Sequence, residues 1–222
     1  TTVTGITAVG HEALKANAAA NNTAIGYKAL LDNTTGANNT VIGTNAALAA
    51  TTSAGNVVIG TEAVKTGVFT GANNVVIGKL AGEDLTSADG NVIIGEDAGK
   101  QQTSGDNNTW IGQGSGENNV TGHSNVGVGM NSLGANLGIA NVAVGKSALA
   151  ANTTGTRNIA FGTDAYNSSD TENDNLAIGH DAMTANTAGG TKNVAIGNYA
   201  GDEISSGDSQ TLVGYGAGHQ IT

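Results

Sequence analysis

The sequence predicts an all-β fold, a parallel β-solenoid, from three observations. The first is a phrase of eight residues, Asn22-Thr23-Ala24-Ile25-Gly26-Tyr27-Lys28-Ala29, whose pattern occurs in thirteen copies along the chain if a weaker first copy, Ile6 to Ala13, is included. The second is its period. The glycines of the phrase stand at Gly10, Gly26, Gly43, Gly60, Gly78, Gly95, Gly112, Gly129, Gly145, Gly162, Gly179, Gly197 and Gly214, always 16 to 18 residues apart. The third is the β-branched or aliphatic residue that precedes almost every one of them. A short repeat this regular is the signature of stacked coils, each of which completes its core only against its neighbours. The repeat crosses the chain without a break in composition. Residues 1–222 therefore read as a single β-solenoid repeat domain of about 13 coils of about 17 residues. Thr1 is not a natural start, so the chain reads as a fragment or a processed chain.

Each copy is numbered here from its glycine as position 0. Position −1 holds Val9, Ile25, Ile42, Ile59, Ile77, Ile94, Ile111, Val128, Val144, Phe161, Ile178, Ile196 and Val213, and position −3 holds only Thr, Val, Ile or Leu. Alternate strand residues share a face, and branched side chains suit a packed pleated surface. Ile25, Ile42, Ile59, Ile77, Ile94, Ile111, Val144, Phe161, Ile178 and Ile196 are thus expected to form the internal core. The glycines, among them Gly26, Gly43, Gly60, Gly78, Gly95, Gly112, Gly162, Gly179 and Gly197, are expected to form sharp corners, because glycine alone adopts such backbone freely. Position −2 then points outward, yet it is never polar. Val41, Val58, Val76, Ile93 and Trp110 form a block of large apolar residues there and read as an oligomer interface.

Position −4 is Asn in eleven copies, from Asn22 to Asn193, and a stack of amides one strand spacing apart reads as a structural ladder, not a ligand set. Position +3 is always Ala or Ser, which marks a tight contact. Position +4 changes in kind: Leu14, Leu30, Ala47 and Val64, then Gly82, Gly99 and Gly116, then Leu133, Leu149, Tyr166 and Met183, then Gly201 and Gly218. The rest of each coil is Gly, Asn, Asp, Ser and Thr, turn chemistry that absorbs the changes in repeat length. Twelve intervals at ~4.8 Å make a rod of roughly 58 Å.

The unit Asn-x-(Ala/Val)-Ile-Gly-x-x-Ala resembles the head repeat of trimeric autotransporter adhesins of the YadA type. The run from Gly26 to Gly43 is similar to repeats in bacteriophage tail fibres. The resemblance implies a left-handed β-roll, three chains side by side, and surface attachment. It departs in length, because the adhesin repeat is nearer fourteen residues, and the extra ones fall in the return loop.

Composition narrows function further. Formal charge is −10 and the eight Lys and Arg are scattered, so no basic stripe exists for nucleic acid. Cysteine is absent, which removes disulfides and Cys-based zinc sites, and no cofactor is expected. No apolar run approaches the ~18 residues of a membrane span, so no membrane insertion is expected. Asp164 and Asp181 share position +2 in successive coils, near the ~5 Å separation of a retaining glycosidase pair. With no aromatic groove beside them they read as solvated turn residues. His11, His123, His180 and His219 lie too far apart in sequence to share a metal within one chain. The acidic loop Asp170 to Asp174, with Glu172, reads as solvated. Lys79 and Glu96, equal places in adjacent coils, read as an ion pair. Ser and Thr pairs at +8 and +9 (34–35, 51–52, 86–87, 103–104, 153–154 and 205–206) raise ice binding, but Val68, Val120, Leu137 and Asp170 interrupt the series.

The expectation is a non-enzymatic segment of an attachment fibre, a phage tail fibre, working outside the cell as part of a virion. Its partners would be itself, as a parallel homotrimer, and a host-surface glycan or protein. The head of a bacterial trimeric adhesin at the cell surface is the alternative among binding proteins. A polysaccharide depolymerase is the alternative of another class.

Overall fold

The computed structural model describes residues 3–168, 170–184, 189–204 and 206–219. Thirteen strands of three residues each make up the regular structure: β1 (Thr7–Val9), β2 (Thr23–Ile25), β3 (Thr40–Ile42), β4 (Val57–Ile59), β5 (Val75–Ile77), β6 (Val92–Ile94), β7 (Thr109–Ile111), β8 (Val126–Val128), β9 (Val142–Val144), β10 (Ile159–Phe161), β11 (Leu176–Ile178), β12 (Val194–Ile196) and β13 (Thr211–Val213). They form one parallel sheet in chain order, and no helix is found among the described residues. Each strand pairs with the next at the same place in the repeat, as Val75↔Val92, Val76↔Ile93 and Ile77↔Ile94. Ile59, Ile77 and Ile94 do form one column, as the period demands.

That column lies on the outside, which corrects the predicted phase. The middle strand residue, position −2, is buried: Ala24, Val41, Val58, Val76, Ile93, Trp110, Ala143, Ala160, Ala177 and Ala195. Val41, Val58, Val76, Ile93 and Trp110 are therefore core residues and cannot be an oligomer interface. The residues assigned to the core, Ile25, Ile42, Ile59, Ile77, Ile94, Ile111, Val144, Phe161, Ile178 and Ile196, face outward and are half-buried or exposed, with Ile25 at 38% and Phe161 at 54%. The reason is room. A coil of this length encloses a single file of side chains, and positions +3, +4 and +7 already point into it.

The inverse relation between −2 and +4 shows how tight that file is. Ala24 sits with Leu30, Ala143 with Leu149, Ala160 with Tyr166 and Ala177 with Met183, all buried. Glycine stands at +4 opposite Val76 (Gly82), Ile93 (Gly99) and Trp110 (Gly116), and Ala47 opposite Val41; Val58 and Val64 are an even pair, and where Ala195 meets Gly201 the side chain of Ile204, at +7, takes the space. A Cβ on Gly99 would lie 3.0 Å from Cδ1 of Trp110, and one on Gly116 would overlap the indole ring. Gly127, at −2 in the next coil, makes room on the ring's other side. Trp110 thus fills space in its own coil and both neighbours, and its Nε1 donates to Oε1 of Gln102 at 2.6 Å. The alternation at +4 is volume compensation inside a core one side chain wide.

Position −4 ties the two walls together. From Asn39 to Gln210, the backbone N–H at −4 donates to Oδ1 of the Asn one coil earlier, at 2.8–3.0 Å in every step. The amide nitrogen reaches across the coil: Asn22 Nδ2 donates to the Gly36 carbonyl and Asn39 Nδ2 to the Ser53 carbonyl, both at 2.8 Å. The accepting carbonyl is 14 residues ahead in ordinary coils. It is 15 ahead for Asn56 and Asn175, and 13 ahead for Asn125. These are the coils whose repeat is one residue longer or shorter. The carbonyl always precedes the next ladder Asn by three residues, as Gly71 precedes Asn74 and Gly138 precedes Asn141. Length variation is thus confined to the return segment before that carbonyl, as expected from the sequence.

The corner closes the coil. Gly95 has φ +138°, and a Cβ there would sit 2.6 Å from the Gly112 carbonyl carbon of the next rung, so the predicted corner glycines are required on both counts. Positions +2 and +4 also lie in the left-handed region even without glycine, as at Lys28 (φ 57°) and Leu30 (φ 52°). A β-branched residue there, Val64 at φ 51°, costs ~1–3 kcal/mol that the surrounding rungs offset.

Two predictions follow from this packing. Trp110→Ala should destabilise the rod by about 3–5 kcal/mol, because it empties the file. Gly116→Leu should be at least as harmful through overlap with the ring. The double variant restores the Ala-with-Leu pairing of the coil around Ala143 and Leu149, so it should recover most of the loss in guanidinium denaturation; additive losses would contradict volume compensation. Separately, Asn91→Ala strands the buried N–H of Asn108 and should cost roughly 1–3 kcal/mol. Its amide exchange should rise at the adjacent rungs and fade with distance.

Candidate functional site

The outward face of the sheet is the largest unusual surface. Residues at −3 and −1 alternate with the buried −2, so both ranks point away from the core. None of these residues is charged. Those at −1 are all aliphatic except Phe161, and those at −3 are Thr, Val, Ile or Leu. The rungs stack in register, so the two ranks run unbroken over thirteen strands. Ile111, Ile159 and Ile178 are exposed large apolar residues within them, and Phe161, in the interior strand β10, reaches 54% exposure. With strands of about 10 Å and a length of about 58 Å, the face covers roughly 600 Å². That is the upper end of the ~300–600 Å² for the largest apolar patch of an ordinary monomer.

Polar ranks border it. Lys79 and Glu96, at +1 of adjacent rungs, do pair, at 3.0 Å. Both are exposed, so the pair contributes ~0–1 kcal/mol. Arg157 grips Asp174 of the next rung through Nε at 2.6 Å and Nη2 at 2.9 Å. That bond holds the Asp174 carboxyl below its usual range and raises the guanidinium.

The residues weighed for chemistry are placed as follows. Asp164 and Asp181 stand on adjacent rungs, both half-buried, and Oδ2 of Asp181 lies 3.1 Å from Nδ1 of His180. Glu172 is buried, and its carboxylate accepts the backbone N–H groups of Asp170 at 2.9 Å, Thr171 at 3.1 Å and Gly189 at 3.1 Å. Backbone amides thus satisfy it, in a loop expected to be solvated. Among the described residues no group of three or more His, Asp or Glu is placed to hold a metal. The threonine rank is not free to order water. Thr34, Thr86, Thr103 and Thr153 donate their hydroxyls to carbonyls of the next coil at 3.0–3.2 Å. Ser205, in the last of the Ser and Thr pairs, lies outside the described residues.

A second feature went unrecognised in the sequence. At the last rungs His180, Tyr199 and Tyr215 form an outward stack: His180 to Tyr199 at 5.5 Å and Tyr199 to Tyr215 at 5.6 Å between ring centroids, the latter edge to face at 71°. His219 lies beside it, with Nδ1 3.1 Å from Oδ1 of Asp202 and 3.6 Å from Glu203. Asp202 and His219 occupy the same place, +5, in adjacent coils, so the rule that paired Lys79 with Glu96 would have found them. A stacked His11 and Tyr27, 5.6 Å apart and nearly parallel, occupy +1 at the opposite end of the described rod.

Compared with family models, curated proteins and solved structures, the chain matches none.

The hydrogen bond that the protonated imidazole donates to Asp202, with the charges of Asp202 and Glu203, raises His219 above its ordinary 6.5. Any stability the pair adds is therefore present at acid pH and lost as pH rises through that elevated value. An NMR titration should place the His219 midpoint above 6.5 in the native chain and lower it in Asp202→Asn.

Proposed function

We propose that this chain is a rigid, non-enzymatic segment of an attachment fibre, of the bacteriophage tail-fibre kind, that works outside the cell as a parallel homotrimer. The observation that carries this reading is the uncharged, two-rank face running in register over every rung. Parallel sheets are ordinarily covered on both faces, and here the coil covers only one. A cover that stays in step with thirteen rungs must repeat at the same ~4.8 Å, and a second copy of the chain does so. The patch approaches the ~800 Å² that each partner contributes to a standard interface. A rod tied by buried amides at every rung is stiff, which suits a spacer that carries a receptor-binding surface away from its base. The receptor would be a host-surface glycan or protein. The number three and the fibre role draw on the resemblance of the repeat. The head of a bacterial trimeric adhesin would use the same face.

Light scattering should return about three times the 21.7 kDa chain mass at micromolar concentration. Ile77→Lys, on the outer face, should release single chains that keep their β circular dichroism. Val76→Lys, one residue earlier and inside, should abolish the fold. A native chain that is monomeric, or an Ile77→Lys variant that keeps the native mass, would refute association through this face. Mass spectrometry of purified virions tests the fibre role.

A further inference from the structure

We propose that Tyr199, Asp202, Tyr215, Gly216 and His219 form a binding site for a single neutral sugar ring on the flank of the last coils. It rests on the attachment reading, for which it supplies a ligand class. These five residues line a cavity of about 210 Å³. That is below the ~300–1,000 Å³ of sites for drug-sized molecules, so it admits one ring and not a chain of them.

The repeat creates the cavity by omission. Tyr199 stands at +2, and the residue stacked on it in the next coil is Gly216. Gly216 has no side chain to lay over Tyr199, and at φ 57° it sits in the left-handed region shared by other residues at this place. Tyr215 of the same coil packs edge-on against Tyr199, its ring at 71°, and leaves the rest of the gap open among the described residues. Two aromatic walls meet at a corner, and the polar pair Asp202 and His219 completes the lining.

The chemistry selects the ligand. An aromatic face packs against the C–H face of a pyranose, whose hydroxyls need donors and acceptors at the rim. Asp202 accepts, while the tyrosine hydroxyls and the His219 imidazole can donate. A quaternary ammonium also favours aromatic corners. It carries no hydrogen-bond donor or acceptor, so it would leave the polar side of the lining, Asp202 and His219, without a partner in the ligand. A neutral polyhydroxylated ring engages both the aromatic and the polar side.

Saturation-transfer NMR on the full chain, with the methyl glycosides of glucose, galactose, mannose and N-acetylglucosamine, tests the site. Tetramethylammonium is the competing probe. At least one glycoside should receive saturation on its ring protons. Tyr215→Ala should weaken it by about two- to tenfold, the scale of losing one aromatic partner. Gly216→Asn, which fills the gap with a residue tolerant of that backbone, should abolish it. Tyr27→Ala, at the other aromatic stack, should leave it unchanged. The proposal falls if no glycoside is saturated, if Tyr215→Ala or Gly216→Asn binds as well as the native chain, or if tetramethylammonium is the preferred ligand. Tyr215→Ala should keep the native mass and circular dichroism, so loss of sugar binding is distinguishable from failure of the fibre to assemble.

Discussion

A buried amide at position −4 is the constraint on which this rod depends. Its oxygen accepts the backbone N–H of the next rung, and its nitrogen donates to a carbonyl on the opposite wall. One side chain thereby sets strand register, coil width and rung spacing together. The arrangement tolerates little compromise, because a buried amide left without partners costs ~1–3 kcal/mol. Gln210, one methylene longer, still donates its backbone N–H to the Asn193 oxygen, so the ladder ends without orphaning that oxygen. Everything variable in the repeat is displaced from this tie. The one-residue insertions before Gly71 and Gly190 and the deletion before Gly138 fall upstream of the accepting carbonyl.

The architecture was legible in the sequence because a solenoid converts sequence period directly into spatial neighbours. Thirteen corner glycines fixed the number of rungs, and equal places in adjacent coils meet, as Lys79 and Glu96 do. The facing of the strand was not legible from side-chain size. Isoleucine at −1 is bulkier and more apolar than alanine at −2, so burial was assigned to the wrong rank. The correcting signal was present in the ladder. Asn at −4 shares a face with −2, not with −1 or −3, and amides bonded into a continuous stack are sheltered from water. The switch at +4 between leucine and glycine was a second signal. It has meaning only once +4 and −2 are known to face each other across the same narrow interior.

The functional surfaces follow the same logic of stacked places. Asp164 and Asp181 do stack, yet Asp181 turns to His180 on its own rung, and adjacency alone makes no catalytic pair. The aromatic corner arises where the stacking is interrupted, at Gly216 above Tyr199. In a repeat protein, a place that breaks the pattern on the outside is more informative than one that keeps it. A kept place is usually accounted for by the neighbour above and below. The left-handed backbone at +2 suits glycine, as at Gly114, but only at Gly216 does the missing side chain open a cavity beside two tyrosines and a carboxylate.

The thin interior bears on why the outer face is apolar at all. Each coil devotes about 17 residues to enclosing roughly one large side chain, such as Leu30, Trp110 or Leu149. Such a coil cannot offset its conformational entropy by internal burial to the extent that a globular domain does. Rung-to-rung hydrogen bonds set geometry, but each contributes only ~0.5–1.5 kcal/mol net. The uncharged ranks at −3 and −1, made of Val, Ile, Leu and Thr with Phe161, are the surface left to bury on the outside of the sheet. In the homotrimer proposed above, covering them with identical chains would add burial at every rung and scale with rod length, as the deficit does. The −3 and −1 residues would then be a second core between chains, outside a first that is too narrow to hold them.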